Sequence, residues 1–511
     1  MVEKLTGQSD KPKNTNTYTA VRWSATSKYG AMSVQFGVSL LLARLLAPEY
    51  FGLLGMAAVV TGFAKTLKSL GFNAVIIQRK DMDHALLSTL FWVNLAFCSL
   101  ITILLILASP VANWIYQDSR VAPLVAVLAL NIFLNSFCTV PSSLLQRRLE
   151  FKKLAIREIG GVAASAVVGI SCALAGFGVW SLVFATTASS IAILVMLNVV
   201  EPFWPSFTLD RTRLKECLKF GLNITGYNII SYFAKNADNL IIGIFLGPLA
   251  LGYYSLAYRF MRLPRDSMSR LISRVLFPKL SELQDNDEKL AAAFLRTLSG
   301  IALITFPAMA GLALLAGPLV EVFLGAKWMP AVPAISLLAI VGAIQSLTFL
   351  SGPIYLSKQR ADWMFRWGMV VSLSYTLAFM LGVNWGLNGV ACCYMVANVI
   401  LVVPEFMIPF KLVDGLTMRR LFRALSPFAL ATVVMSVAVI AMSFWAKSLM
   451  GAELGLGVCV ITGVFVYVAM MMVLRPHAVD DYLKLVFGSK FKKKMPSAMA
   501  SRSPTAITEQ A

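Results

Sequence analysis

The stretch ALLSTLFWVNLAFCSLITILLILAS (residues 85–109) contains no charged side chain. An α-helix needs about 20 apolar residues to cross the hydrocarbon core of a bilayer, so this stretch is long enough to span a membrane. Comparable apolar runs recur along the chain, separated by short polar or Pro/Gly-containing breaks. They lie at 28–47, 51–72, 85–109, 121–145, 155–176, 178–200, 218–246, 248–278, 291–316, 331–356, 362–382, 386–410, 425–446 and 453–474. We therefore predict an all-α integral membrane protein with about fourteen transmembrane helices.

The composition excludes a soluble protein. Of the 511 residues, 58% are hydrophobic and 14% are charged, whereas soluble domains carry roughly 25% charged residues. The 45 basic residues outnumber the 25 acidic ones, which gives a net charge of +20. These charges lie in short segments between the apolar runs, a pattern that sets membrane topology rather than one that binds nucleic acid.

Basic residues concentrate in every second connection between the runs. If the N-terminus is cytoplasmic, these connections face the cytoplasm, as the positive-inside rule requires. The outward connections contain only Arg120, Lys327 and Lys447 as basic residues. A missed or extra helix would invert this alternation downstream, so the charges support the helix count independently. We predict a multi-pass protein of the bacterial inner membrane, with both termini cytoplasmic and no cleaved signal peptide.

The connections offer no place for an ordinary active site. The outward loops are short, the longest running from Gly317 to Pro333. There is no Walker A loop for ATP. The seven cysteines are scattered through apolar runs, and the two histidines have no metal-ligand neighbours. The sequence thus predicts no enzyme, no cofactor and no metal site, and it leaves an ion gradient or the membrane potential as the energy source for any work the protein performs.

A faint internal repeat relates two parts of the chain. The segment LLLARLLAPEYFGLLGMAA (40–58) aligns with LIIGIFLGPLALGYYSLAY (240–258), and the aligned Pro and Gly residues predict the same tight outer turn. Repeats of this kind are typical of two-lobed transporters. We predict a cytoplasmic N-terminal tail, two six-helix lobes, two further helices and a basic, partly disordered cytoplasmic tail. Their predicted bounds are 1–27, 28–205, 206–412, 413–476 and 477–511.

Several ionisable residues lie inside the predicted spans, where they are costly unless they face a protein interior or a watery cavity. Guanidinium and ammonium groups in such a cavity suit an anionic headgroup, with phosphate as the best match. The cavity candidates are Arg44, Lys65, Arg259 and Arg262.

Other charges in the spans have a simpler interpretation. Lys68, Arg270 and Arg274 lie near predicted cytoplasmic ends and are typical of side chains that snorkel to the interface. Lys235 and Asp238 are three residues apart, one helical turn. They either neutralise each other or take part in ion coupling, and the sequence leaves both alternatives open.

The chain resembles the polysaccharide flippases of the MOP exporter superfamily, the Wzx type, and within it the colanic-acid exporter branch. The resemblance covers about residues 20 to 480 and rests on six stretches in order along the chain. They are ARLLAPEYFGLL (43–54), GFNAVIIQRKDMDH (71–84), LQRRLEFKKLAIRE (145–158), LGPLALGYYSLAYRFMRLP (246–264), SRVLFPKLSELQDNDEKL (273–290) and FLGAKW (323–328).

The resemblance implies a two-lobed, MATE-like fold of fourteen helices around a basic central cavity, working by alternating access. It implies undecaprenyl-pyrophosphate-linked oligosaccharide repeat units as substrate, moved from the cytoplasmic to the periplasmic leaflet for exopolysaccharide, capsule or lipopolysaccharide synthesis. Lipid II flippases of the same superfamily line their cavity with arginines, and the comparable positions here are Arg44, Lys65 and Arg259 or Arg262. Membrane lipids, and the polysaccharide polymerase and chain-length regulator, are the expected partners.

Two alternatives differ in class. A cation-coupled multidrug antiporter of the same superfamily typically has twelve helices and acidic cavity residues, whereas the charges in these spans are mostly basic. An O-unit polymerase or ligase needs a sizeable periplasmic loop with catalytic residues, and the outward loops here are short.

Overall fold

The computed structural model describes residues 17–68, 71–79, 81–208 and 210–474. Within these ranges the regular elements are helical, and no strand occurs among them. The α-helices are α1 (Thr17–Leu45), α2 (Pro48–Leu67), α3 (Phe72–Gln78), α4 (His84–Tyr116), α5 (Val121–Ser136), α6 (Thr139–Arg147), α7 (Phe151–Leu174), α8 (Val179–Val200), α9 (Arg211–Glu282), α10 (Asp287–Phe323), α11 (Val332–Thr348), α12 (Ser351–Ser357), α13 (Ala361–Gly382), α14 (Gly386–Leu412), α15 (Met418–Leu449) and α16 (Ala452–Leu474). Short 3₁₀ turns cover Ala326–Ala331 and Val383–Trp385. Most of the predicted N-terminal tail and all of the predicted C-terminal tail lie outside the described residues.

The helices confirm an all-α membrane fold. In the described part of the chain, ten helical segments are long and apolar enough to cross a bilayer, or eleven if the bent pair α5 and α6 forms one span. The apolar part of α1, Gly30–Leu45, is shorter, and α13 with α14 is continuous enough to count once as Ala361–Leu412. The count of about fourteen spans therefore stays a prediction.

Helix α9 contains the break that we predicted between the seventh and eighth apolar runs of the chain, 218–246 and 248–278. Gly247 has φ 78° and ψ −177°, a backbone conformation outside the helical region. A residue with a Cβ rarely adopts a positive φ, so glycine is required at this bend. We refer to residues 211–246 and 248–282 as the first and second segments of α9.

The chain divides into two compact units. The first comprises Met1–Arg259, Leu319–Ile335 and Met369–Ala397, and the second comprises Phe260–Pro318, Ser336–Gly368 and Asn398–Ala511. These units each combine pieces distant in sequence. The predicted lobe boundaries at 205/206 and 412/413 remain predictions.

In the first unit, α7 packs along both α1 and α8, and α5 packs against α2, α4 and α8. Side-chain hydrogen bonds tie neighbouring helices together. Asn131 on α5 donates to the Thr187 hydroxyl on α8 at 3.2 Å, and Asn94 on α4 donates to Thr139 on α6 at 3.2 Å. Apolar helix surfaces gain no hydrophobic free energy by leaving lipid for each other. Polar contacts of this kind therefore supply specific links between the helices.

The second unit is held by the same kind of link. Tyr467 on α16 donates to the Leu303 carbonyl on α10 at 2.9 Å, and Ser346 on α11 donates to Thr305 on α10 at 3.0 Å. Helices α15 and α16 pack along each other. Long apolar side chains such as Phe465 remain exposed on α16, as expected of a surface that faces lipid.

Candidate functional site

The two copies of the sequence repeat meet at the N-terminal ends of α2 and of the second segment of α9. A Cβ added to Gly52 would lie 1.7 Å from the Pro248 carbonyl oxygen, and one added to Gly252 would lie 2.0 Å from the Pro48 carbonyl oxygen. The glycine of each copy thus touches the proline of the other. We call these four residues the reciprocal contact. No side chain larger than a hydrogen atom fits at either glycine without backbone movement.

A buried tryptophan packs beside the reciprocal contact. Trp328 is fully buried, and its indole N–H donates to the Ala43 carbonyl at 2.7 Å. Its ring meets Phe51 and Tyr253 edge-on, with centroids 5.4 and 5.9 Å apart. These two aromatic residues each neighbour a glycine of the reciprocal contact in sequence. Trp328 therefore fills the space beside both copies of the repeat at the predicted outer end of the first unit.

The structure places Arg44, the first predicted cavity residue, in this outer region. Its guanidinium donates to the Val322 carbonyl at 2.8 Å, and its own carbonyl accepts from the Lys327 ammonium at 2.7 Å. The Arg44 side chain is exposed. Both bonds link the end of α1 to the chain around Trp328, so Arg44 helps to hold the outer end together.

Arg259 lies on the second segment of α9. Its guanidinium donates to the hydroxyl of Ser39, a buried residue of α1. The Arg259 side chain is nevertheless exposed, although it belongs to an apolar span. Arg262, three residues later in the second unit, is exposed as well. Exposed guanidinium groups within a span need a watery or anionic environment.

Lys65 lies deeper along α2, where this helix contacts the first segment of α9. The Tyr232 hydroxyl donates to the Val59 carbonyl at 2.6 Å, and the Phe63 and Phe233 rings lie 5.2 Å apart. Lys65 and Lys235 each follow this aromatic pair by two residues in sequence, and both side chains are exposed. The structure thus brings Lys65 and Lys235 onto contacting helices of one unit.

Asp238 and Lys235 occupy different environments. Asp238 is 3% exposed and accepts hydrogen bonds from the Tyr254 hydroxyl at 3.1 Å and from the backbone N–H of Asn239 at 2.7 Å. Tyr254 is fully buried and stacks on Tyr258 at 5.8 Å. The sequence analysis missed the tyrosine at this carboxylate, although YYSLAY (253–258) carries three tyrosines in six positions.

A second cluster lies in the connections at the other end of the first unit. Arg213 binds Asp83 at 2.9 Å and Asp210 at 2.5 Å. The hydrogen bond from Arg213 lowers the pKa of the Asp83 carboxyl below its usual range, and the backbone N–H of Leu86 adds to the effect. Arg79 binds Asp81 at 2.9 Å and Glu216 at 3.0 Å. We call these six charged residues the connection cluster; they are Arg79, Asp81, Asp83, Asp210, Arg213 and Glu216.

The candidate site combines several exposed cationic side chains within apolar spans. Among the residues that the structure describes, no three His, Cys, Asp or Glu side chains come together in a way that holds a metal ion. The exposed cations of the spans are lysine and arginine side chains, residue types that form charge-assisted hydrogen bonds to phosphate groups in proteins. Sequence reasoning found these cations because charges in apolar runs stand out. It missed Ser39, and it did not predict that Trp328 is buried.

Comparisons with known proteins identify the family of the chain. A family described as "Polysaccharide biosynthesis protein" matches residues 41–333. The chain is 28% identical to the lipopolysaccharide biosynthesis protein WzxC of Escherichia coli K12 over 434 residues, covering 83% of this chain and 87% of WzxC. It is also 28% identical to the teichuronic acid biosynthesis protein TuaB of Bacillus subtilis, covering 91% of this chain and 96% of TuaB.

Among solved structures, the fold is similar to that of the lipid II flippase MurJ in an inward closed conformation. The TM-score is 0.72 at 15% identity, and the match covers 90% of this chain and all of that chain. The similarity in fold extends well beyond the part of the chain that the family match covers. The resemblance to polysaccharide exporters predicted from the sequence is confirmed.

Proposed function

Because the chain belongs to the polysaccharide biosynthesis protein family, we propose that it is a flippase for undecaprenyl-pyrophosphate-linked oligosaccharide repeat units. It is a multi-pass bacterial membrane protein with many apolar helices. The proposed activity moves each unit from the cytoplasmic to the periplasmic leaflet of the inner membrane, with both termini of the chain in the cytoplasm. The units then supply exopolysaccharide, capsule or lipopolysaccharide synthesis.

One observation carries the proposal: Arg259 is exposed within an apolar span, with its guanidinium on the Ser39 hydroxyl. A guanidinium presents several donors in a planar fork that matches phosphate oxygens. The hydroxyl holds only part of that fork, so donors remain for a ligand. We propose that Arg259, Arg262 and Lys65 bind the pyrophosphate of the lipid carrier.

Arg44 has a different part in the proposal. Its guanidinium is already bound to the Val322 carbonyl at the predicted outer end of the first unit. Opening the outer end would break this bond and free the Arg44 guanidinium. Arg44 would then receive the pyrophosphate as the unit leaves toward the periplasm. The same four cations would serve in sequence, with Lys65, Arg259 and Arg262 first and Arg44 last.

Lys235 and Asp238 are the proposed coupling residues of the first unit. Asp238 is buried on Tyr254, whereas Lys235 is exposed. A change in the protonation or hydrogen bonding of Asp238 would reach the second segment of α9 through Tyr254, because Arg259 lies five residues after Tyr254 on that helix. Ion binding and pyrophosphate binding would thus act on one helix.

The test uses a strain that lacks the protein. Lipid-linked oligosaccharides are extracted, and their leaflet is determined with a periplasmic sugar-modifying enzyme. We expect unmodified units to accumulate on the cytoplasmic side, and the intact protein to restore their modification. Units that cross normally but stay unpolymerised would overturn the proposal and point to a polymerase or ligase.

The residue assignment has its own test in the same strain. Arg259→Ala should abolish polymer export while the protein stays inserted and abundant. Arg259→Lys keeps the charge but loses the planar fork, so export should fall only in part. The matched control is Arg423→Ala, which removes an exposed arginine at the start of α15. Normal export by Arg259→Ala would remove Arg259 from the site.

A further inference from the structure

The second unit contains a half-buried carboxyl group that the proposed pyrophosphate site does not use. Glu405 lies on α14, and its carboxyl accepts a hydrogen bond from the indole N–H of Trp367 on α13. Glu405 forms no ion pair with any other residue of the described part of the chain. A carboxylate in a span is costly when no cation neutralises it, and residues of this kind usually have a function.

Two hydroxyl groups of α12 lie at the same carboxyl. Ser351 presents its hydroxyl to Glu405, and Tyr355, one turn later, is close enough to interact with the Glu405 charge. Ser351 is 0% and Tyr355 is 2% exposed. Neither hydroxyl reaches a hydrogen-bond partner at ordinary distance among the described residues. Buried hydroxyls are normally satisfied, so these two are available to form hydrogen bonds with the Glu405 carboxyl.

The backbone of α14 adds a further acceptor. Pro409 lies four residues after Glu405 and has no N–H, so it cannot close the helical hydrogen bond to the Glu405 carbonyl. The site lies seven residues before the end of α14 at Leu412, roughly 10 Å along the helix axis. In the predicted topology that end faces the cytoplasm.

We propose that Glu405 is a proton-binding site of the second unit, held by Trp367, Ser351 and Tyr355. The charged carboxylate takes up one proton and becomes a neutral carboxylic acid. In the charged state the indole N–H and both hydroxyls are available to donate to the two carboxylate oxygens. In the neutral state the new O–H donates to one hydroxyl oxygen, while the indole continues to donate to the other carboxyl oxygen.

The surroundings favour a proton over a metal cation. The indole N–H directs positive charge at the carboxyl and would repel a metal ion in its place. Tyr355 on α12 is a titratable side chain near Glu405, and Arg366 on α13 is the sequence neighbour of Trp367. No described cluster of three acidic, His or Cys side chains is present to hold a metal.

The inference rests on the proposed function only in its last step, that protonation of Glu405 is coupled to transport. In the first experiment, the full chain in lipid nanodiscs is titrated while infrared difference spectra record the carbonyl band of protonated carboxyl groups. We expect a titrating band that Glu405→Gln removes and that Tyr355→Phe shifts. Glu453→Gln, which changes an exposed glutamate in the first turn of α16, is the matched control.

Two results of the titration would overturn the inference. One is a wild-type spectrum that does not differ from that of Glu405→Gln across the pH range. The other is a band that responds to sodium at fixed pH when choline is the reference cation, which would make the site a sodium site.

The second experiment measures export in cells. Glu405→Gln should lower export by about tenfold or more, the usual size of a coupling effect, and Glu405→Asp should restore part of it. Normal export by Glu405→Gln would refute coupling and leave the flippase function standing. A deletion strain whose repeat units still cross the membrane would refute the flippase function, and the infrared result would stand by itself.

Discussion

The reciprocal contact and the connection cluster are both in the first unit, but one is formed by backbone atoms and the other by charged side chains. The reciprocal contact is backbone against backbone, with Gly52 on Pro248 and Gly252 on Pro48. The connection cluster consists of charged side chains that are partly exposed, such as Asp83 at 54% and Arg213 at 30%. Contacts made by backbone cannot adjust, whereas exposed side chains can exchange partners with water. Substitutions should therefore be more damaging at the reciprocal contact than in the connection cluster.

Trp328→Ala should have the largest effect. It empties a fully buried site beside the reciprocal contact and should destabilise the first unit by about 3–5 kcal/mol. Thermal unfolding of the purified protein in detergent measures the loss. Trp328→Phe keeps most of the ring but leaves the Ala43 carbonyl without its donor, so it should cost about 1–3 kcal/mol. Equal losses from both variants would show that the ring volume is unimportant.

Gly52→Ala and Gly252→Ala come next. Each places a methyl group against a carbonyl oxygen of the other repeat, and each should cost about 1–3 kcal/mol by the same unfolding measurement. The two effects should be equal, because the contact is reciprocal. Gly300→Ala is the control, since a Cβ there meets nothing within 4 Å. A large loss at only one of the two glycines would break the equivalence of the repeats.

Asp83→Ala should have a smaller effect. Asp83 caps α4 by accepting from the Leu86 N–H at 2.9 Å, and loss of a cap costs about 1 kcal/mol. Asp83→Asn keeps a capping oxygen and loses only the charge that binds Arg213, so it should cost less.

The Asp83 contribution should also depend on pH. Because the folded protein lowers the pKa of Asp83, its stabilisation is complete above the unfolded value of about 3.9. It is lost as the pH falls through the lower, folded value. The stability difference between wild type and Asp83→Asn should therefore shrink in acid. A difference that stays constant down to that range would contradict the ion pair with Arg213.

Arg120→Ala should have the smallest effect. Arg120 binds Glu49 at 2.5 Å and Asp118 at 2.8 Å, but its side chain is 49% exposed. Exposed ion pairs contribute under about 1 kcal/mol, and salt weakens them further. Unfolding at low and high salt should differ for the wild type and agree for the variant. A loss as large as that of Gly52→Ala would show that this end of the molecule depends on charge after all.

Much of the fold follows from the sequence. Apolar runs mark the helices, and the break between the seventh and eighth runs falls on Gly247, which has the non-helical backbone. The number of spans is harder to predict from the sequence. Hydropathy shows where the chain is apolar, but it does not show whether the backbone bends within an apolar run. Thus α5 and α6 bend by 47° within one predicted run.

The candidate site follows less completely. Arg259 and Lys65 were found as charges within apolar runs, and the structure leaves both exposed. Their partners were not predictable, because Ser39 lies 220 residues from Arg259 and looks like any other serine. The same holds for Trp328, whose bond to Ala43 joins residues 285 apart. FLGAKW was noted for its resemblance to a family, but no local rule says which helix that tryptophan meets.

The reciprocal contact also offers a reason why the aligned Pro and Gly residues of the faint repeat are found in both copies. Duplicated segments ordinarily diverge independently, since a change in one copy does not alter what the other copy must do. Here each copy is the surface against which the other is fitted. A substitution at Gly52 pushes against Pro248 and so disturbs the nearby contact of Gly252 with Pro48. A change in either copy therefore alters the packing of both, and Pro and Gly are the residues that the two copies share at this contact.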